Sequence, residues 1–514
     1  MWSDQRQIPI ARWVATPGGI ALIVVLYGLV HTLLRVWASA ALGTDDDAEN
    51  VWVQTLEFGY ILAQPPLYEW LLYGFQQIFG PTIQSILALK YTVLTGTSVF
   101  LFLAARYALS DPRLAALCVL SYSLLIQIGW NLFEGVTHTN VLMCSCAATA
   151  WLFVRALRTR ALADYALLGI AVGCGLVAKF SYPLFPLALM IGCLSLSSLR
   201  QRLRVTGLML TLIVALCVIS PFAYWIISGD HSLFGAMNGK MTGGGATAHW
   251  ERVAIGLPRF AFSLFGFSAL LVPVLVLMFY QPLRRGNLWL IENVDQAETA
   301  QLFGRTVAVM IGLAAIGIIA SGSIHVKERH MHPILLLLPI YLFARMEAGK
   351  AASFRYANLL ALIVIVVVVA FVARIPTFVA PTKSLCGKCR EMKPYMALKP
   401  ALEKLGFEGG TLIGADTYTA GNLRVAFPNA RISDPRWTSP KKVAQSACYL
   451  VWDAGEEGPK PLAQVNGRFA KATEDTKNTP QFIDANWPMR MGLGDKRVTT
   501  FGILSLAPDN SLCR

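Results

Sequence analysis

The stretch that decides the fold runs Gly18-Gly19-Ile20-Ala21-Leu22-Ile23-Val24-Val25-Leu26-Tyr27-Gly28-Leu29-Val30-His31-Thr32-Leu33-Leu34-Arg35 and then, a few residues on, Thr44-Asp45-Asp46-Asp47-Ala48-Glu49-Asn50. A helix rises about 1.5 Å per residue, so about 20 apolar residues cross a hydrocarbon core of about 30 Å. The first part meets that length. It is too long, and too poor in a small-residue cleavage site, for a signal peptide, and is expected to stay as a helix. The second part sets Asp45, Asp46, Asp47 and Glu49 just outside it, in a loop (40–81) without a single Lys or Arg.

The rest of the chain agrees with a membrane reading. Of 514 residues, 55% are hydrophobic and 14% charged, with mean hydropathy +0.52. Soluble domains run at about 45–50% and about 25%. A cytosolic enzyme, a disordered chain and a coiled coil are excluded. About eleven segments read as spans, near 17–39, 82–105, 114–132, 140–157, 164–180, 182–199, 207–228, 260–282, 304–322, 333–346 and 356–374. No internal repeat is visible, which argues against a transporter built from paired halves.

The net charge of +14 concerns sidedness, not nucleic acid. With the N-terminus inside, one side collects Arg6, Arg12, Arg106, Arg113, Arg155, Arg158, Arg160, Arg200, Arg202, Arg204, Arg284, Arg285, Arg305, Arg345, Lys350 and Arg355. The outer loops hold only Arg35, Lys179, Lys240, Arg252, Arg259, Lys327 and Arg329. This is the positive-inside pattern. An odd number of spans then sends the C-terminus outside.

After Arg374 the composition turns polar. The predicted division is a transmembrane part, 1–375, and a soluble α/β sandwich, 376–514, with strands at Thr411–Asp416 and Cys448–Asp453 and a helix over 395–405. From 382 to 514 there are 19 Lys+Arg and 13 Asp+Glu, a net of +6, which suits either an anionic acceptor or membrane surface, or simple solubility. Four cysteines there (Cys386, Cys389, Cys448, Cys513) favour disulfides in an oxidising compartment, with three connectivities open and a zinc site as the competing reading of Cys386-Gly387-Lys388-Cys389.

The acidic loop is flanked by Val51, Trp52, Leu56, Phe58, Tyr60, Leu67, Tyr68 and Trp70, so it is expected to form amphipathic helices at the interface, with Pro65-Pro66 ending one helix and starting the next. Carboxylates held there suit a base acting on a substrate partly in lipid.

Asp46-Asp47-Ala48 with Gly59-Tyr60 and Gln64-Pro65-Pro66-Leu67-Tyr68 resembles the bacterial GT-C membrane glycosyltransferases, relatives of protein O-mannosyltransferases and of the aminoarabinose transferase of lipid A. The wording is most similar to the lipopolysaccharide galacturonosyltransferases, and Thr137-His138-Thr139, Lys179-Phe180-Ser181-Tyr182, Lys327-Glu328-Arg329-His330 and Gly421-Asn422-Leu423-Arg424 extend the resemblance. It implies an inverting transferase of the bacterial inner membrane, with the N-terminus cytoplasmic and the C-terminal part periplasmic. The donor would be a sugar, galacturonic acid, on a polyprenyl phosphate. The acceptor would be lipid A, lipopolysaccharide or another envelope glycan. The same fold moving mannose or arabinose-type sugars to protein or glycan is the alternative, and a lipid-linked sugar transporter the rival class.

The resemblance assigns Asp46 as base and Asp47 as its orienting partner, with Asp45 one register away. Lys327, Arg329, Lys90 and Lys179 are the candidate phosphate ligands. For Lys327 and Arg329 the competing reading is loop solvation; for Lys90 it is snorkelling or an internal ion pair. Asp45, Glu49, Tyr60, Gln64, Tyr68, Glu134 and His138 are candidate substrate contacts; His138 reads otherwise as a core or headgroup-facing histidine, or as a metal ligand together with an Asp of the first loop. The aminoarabinose branch carries basic residues where this chain has Glu49 and Gln64, so its phosphate contacts must lie elsewhere. His325, His330 and His332 are loosely spaced for zinc, and no obligate metal or cofactor is expected, although a divalent cation is compatible with the acidic loop. Loop 229–258, with Gly243-Gly244-Gly245, reads as a lid or as a plain connector.

Overall fold

A computed structural model describes residues 10–133, 135–229, 248–380, 382, 384, 389–443, 447–456, 460–462, 469, 478–494, 496–507, 509–510 and 512–513. Glu134, Lys240, the triple glycine of the supposed lid and Cys386 lie outside them.

Among the described residues six helices are long and apolar enough to span: Pro17–Ala38, Ile83–Ala108, His138–Thr159, Val205–Ser228, Val294–Ser321 and Ser353–Val379; counting two bent pairs makes eight. The first, α1, starts where Thr16 Oγ1 accepts from Gly19 N at 3.0 Å, with Pro17 opening the helix. Its Leu22, Val25, Leu26, Leu29, Val30 and Leu33 are about half exposed, a stripe that only hydrocarbon would cover. The His138–Thr159 helix sits at the centre and is buried along most of its length. The chain is a membrane protein.

Two expected spans are not straight. Residues 114–132 fold as Pro112–Leu124 and Ile126–Phe133, bent by 78°. At the break Ser121 Oγ and Ser123 Oγ donate to the carbonyls of Cys118 and Leu120, at 2.6 and 2.8 Å, and the helix tightens to a 3-10 turn. Residues 260–282 lie in His249–Ser268 and Leu271–Arg285, bent by 69°. The fifth and sixth expected spans are the short helices Leu162–Leu176 and Leu184–Leu194, and the tenth is two pieces, His332–Leu335 and Leu338–Ala348, each with a proline in its first turn.

The C-terminal part is built on one five-stranded sheet with helices packed against it, in keeping with the expected α/β class. Its strands are β1 (Gly410–Gly414), β2 (Arg431–Ser433), β3 (Ala447–Gly455), β4 (Gln481–Asn486) and β5 (Val498–Leu506), in the order β2-β1-β3-β5-β4. The first three pair in parallel; β5 runs antiparallel to β3, and β4 antiparallel to β5. Side chains alternate across it. Leu412, Tyr449, Val451, Phe501 and Ile503 face one core, and Ile413, Cys448, Leu450, Trp452 and Leu504 the other. The predicted helix is Leu398–Lys404, and the carboxylates ending the predicted strands are structural: Asp416 Oδ1 accepts from Thr419 N at 2.7 Å, capping the Thr417–Ala426 helix, and Asp453 pairs with Lys393.

Cys448 is bonded to Cys513, and Cys389 is also in a disulfide, which removes the zinc reading of Cys389. The Cys448–Cys513 bridge closes a sequence separation of 65 residues and ties the chain end to β3. Loop-closure entropy puts such a bridge at about 4 kcal/mol. Replacing both cysteines by serine is expected to lower the thermal midpoint in detergent by several degrees, followed by tryptophan fluorescence; an unchanged midpoint would contradict this.

The acidic loop does not lie free at a surface. Asp46–Trp52 (α2) and Leu67–Phe79 (α3) precede Ile83–Ala108 (α4). Helix α2 already ends at Trp52, so Pro65-Pro66 start α3 but end nothing. Val51, Trp52 and Tyr60 share a core with Leu412, Leu423, Phe427 and Ile432, so the first loop and the sheet are packed as one body.

Candidate active site

Helix α2 is short and buried, and its successive acids face different neighbours. Asp45 precedes it with φ +72°, a strained conformation for a residue with a side chain, and is exposed. Asp46 is buried, and its Oδ1 has no hydrogen-bond partner. Burial pushes the Asp46 carboxyl above its ordinary range, and the charge of Lys90 pulls it back down. Lys90 lies in α4 and is only 1% exposed. Asp47 turns toward the sheet part. Burial, opposed by the Ala48 N–H, pushes it up to about 7, with Asp46, Asp45 and Asp416 adding to the rise. Tyr418 feels its charge in turn.

One turn along from Asp46, Glu49 Oε1 meets His138 Nε2 at 3.0 Å. Glu69, in the first turn of α3, comes within 3.6 Å of the same nitrogen. Burial is the main cause that raises both carboxyls, Glu69 to about 8. Tyr68 is fully buried beside them, its hydroxyl unpartnered and its ring 5.6 Å from that of His138. Lys179 Nζ donates to Thr139 Oγ1 at 2.9 Å, next to His138.

The structure thus gathers Asp46, Glu49, Tyr68, Lys90, His138 and Lys179 around one buried site. The other expected residues make different contacts. Tyr60 donates to Thr55 O at 2.9 Å and accepts from Glu57 N at 3.2 Å, so its hydroxyl is spent on its own loop. Gln64 is half-buried in the same turn. Lys327 and Arg329 are exposed on the Glu328–His330 turn. Lys327 lines a separate cleft of about 330 Å³ with Arg259, Phe262 and Ser263. The cations acting on Asp46 are Lys90 and Arg35. Arg35, expected in a loop, is in the last turn of α1, buried, donating to Ser39 O at 2.7 Å and to Ala41 O. The three loop histidines do not assemble: His330 Nδ1 accepts from Lys327 N at 3.3 Å, His332 packs on the Phe267 ring, and His325 is exposed.

Sequence reasoning missed the ring that fixes α2. Asn50 Nδ2 donates to Gly421 O at 2.9 Å, and Gln76 Nε2 to Asn50 Oδ1 at 2.9 Å. Arg424 donates to Gln76 Oε1 at 2.7 Å and to Asn50 O, its burial lowering the guanidinium to about 9. Gln54 adds a two-way pair with Ile432, at 2.7 and 2.9 Å, in the manner of a sheet edge. Gln76 and Glu69, two polar residues seven apart on the buried face of an apolar helix, were the available signal.

A family profile for dolichyl-phosphate-mannose-protein mannosyltransferases matches residues 63–225, which hold Glu69, Lys90, His138 and Lys179. Two lipopolysaccharide core galacturonosyltransferases of Rhizobium johnstonii are similar over nearly the whole chain. RgtA is 28% identical over 479 residues, covering 90% of this chain and 91% of its own. RgtB is 27% identical over 480 residues, covering 93% and 95%. The fold is shared with ArnT from Cupriavidus metallidurans. Its undecaprenyl phosphate-bound structure aligns at TM-score 0.52 and 14% identity over 96% of this chain and 98% of that one, and its apo structure at 0.53 over 97% and 99%. Profile, nearly full-length relatives and fold agree in one direction: over its whole length the chain is similar to membrane glycosyltransferases.

Proposed function

We propose that this protein moves galacturonic acid from a polyprenyl-phosphate carrier to the lipopolysaccharide core or lipid A on the periplasmic face of the inner membrane, with inversion at the anomeric carbon. The observation that carries the chemistry is the buried Asp46 carboxylate, one oxygen unpartnered, beside Lys90. In the proposed step that oxygen takes the proton of an acceptor hydroxyl as the hydroxyl oxygen bonds to the anomeric carbon. The carbon–oxygen bond to the carrier breaks, and its electron pair leaves on the lipid phosphate. The nearly full-length likeness to two core galacturonosyltransferases supports the sugar and the acceptor. The ArnT structure with undecaprenyl phosphate supports a lipid-phosphate donor.

Deleting the gene is expected to remove a hexuronic-acid mass from the lipopolysaccharide core or lipid A, restored by the wild-type chain. An unchanged glycan profile overturns the proposal. The mannosyltransferase profile favours a second reading, mannose transfer to protein; unchanged lipopolysaccharide with loss of a hexose from envelope proteins would select it.

Lys90 then has a definable part. Its charge favours ionised Asp46, opposing burial. Lys90→Met is expected to slow transfer roughly several-fold at neutral pH, because less of Asp46 is ionised, and to move the rising limb of the pH–rate profile to higher pH. An equal loss at every pH would instead assign Lys90 to the donor phosphate.

A further inference from the structure

Beside Asp46 lies a second cluster whose chemistry the transfer step leaves unused. Glu49 closes the buried face of α2, Glu69 lies in the first turn of α3, and His138 is the first residue of the central helix. Each offers one ligand atom, and the three atoms lie within 4.8 Å of one another. His138 Nε2 is 3.0 Å from Glu49 Oε1 and 3.6 Å from Glu69 Oε1. Donors bound to one tetrahedral zinc ion at about 2.0–2.1 Å stand about 3.3 Å apart, so little movement is needed to seat an ion among them.

The charges point the same way. The side chains of Glu49, Glu69 and His138 are 4%, 0% and 4% exposed. Neither oxygen of Glu69 has a hydrogen-bond partner, and Glu49 Oε2 has none. A buried carboxylate is normally paired, hydrogen-bonded or bound to metal. A protonated His138 would offset one of the two negative charges. A divalent cation offsets both and leaves the imidazole neutral, the form in which it ligates. One imidazole and two carboxylates form a nitrogen–oxygen donor set suited to zinc, and three protein ligands leave a fourth position open.

We propose that Glu49, Glu69 and His138 bind one divalent cation of the Zn²⁺ type, with its open coordination position in the buried site that Asp46 shares. Asp46 and Glu49 are three apart on α2 and so lie on neighbouring positions of one helix face. The cation would also tie α2, α3 and the central helix together at a point where no hydrogen bond does so for Glu69.

The test uses the full chain in nanodiscs, stripped with chelator and titrated with ZnCl₂ by calorimetry, with elemental analysis after desalting. One equivalent is expected to bind, and Glu69→Gln and His138→Asn are each expected to weaken it at least about 100-fold. Zinc-edge absorption of the loaded wild type is expected to show a nitrogen–oxygen shell with one imidazole. That spectrum keeps the test decisive should a variant fail to fold. No stoichiometric zinc, affinity unchanged in the variants, or a sulfur shell overturns the proposal, the first leaving two carboxyls that share protons. None of these readouts involves a sugar, so they stand or fall apart from the glycan experiment.

Discussion

Asp46→Asn is expected to lower transfer by about 10²–10⁴-fold, the usual contribution of a positioned general base. The substitution keeps the shape and polarity of the side chain and removes its capacity to take a proton. It should not harm folding. Burial already disfavours the Asp46 carboxylate, and Oδ1 forms no hydrogen bond that the amide would forfeit. The variant should therefore match the wild type in thermal midpoint and in affinity for the lipid-linked donor, with the loss confined to kcat. Asp47→Asn should cost much less, because Asp47 is turned toward Asp416 and Tyr418 rather than toward Lys90. Initial rates in proteoliposomes with a defined donor and acceptor separate the two. Full activity in Asp46→Asn would move the base to Asp45 or Asp47.

The parts of this site that the sequence disclosed were those carried by composition over a window. Apolar runs announced the helices, and a loop of acids without a single cation announced α2. The bends did not show, because a break at Leu125 depends on hydroxyls turning back on their own carbonyls, and Ser121 and Ser123 read equally well inside a straight span. Tyr60 and Gln64 looked functional because they sit in a recognisable motif, yet the hydroxyl of Tyr60 is used to close its own turn. Lys327 and Arg329 drew attention as neighbouring outer cations, whereas Lys90, in mid-helix and apparently misplaced, is the one whose charge reaches Asp46. Glu69 was hidden by its aromatic neighbours. Pairings across hundreds of residues, such as Asn50 with Gly421, leave no local pattern to read.

Gly421→Val is expected to cost roughly 10²-fold in transfer and about 1–3 kcal/mol in stability, although Gly421 is remote in sequence from every candidate catalytic group. A Cβ at this position would stand 2.3 Å from Asp47 O and 2.7 Å from Asp47 C and Cα. All three are backbone atoms of α2, so no rotamer relieves the clash and the helices must part. Parting them breaks the ring in which Asn50 reaches Gly421 O, Gln76 reaches Asn50, and Arg424 reaches both. It also moves Asp46 against Lys90, which is fixed in α4, and a displacement of about 1 Å is enough to spoil a proton transfer. Gly421→Ala should lie between wild type and valine. Gly409→Ala, where an added methyl meets nothing within 4 Å, should be neutral and is the control. Rates and thermal midpoints of the three variants decide the matter. Full transfer by Gly421→Val would show that α2 need not be seated on the Thr417–Ala426 helix, and that the sheet part serves something other than holding the acids in place.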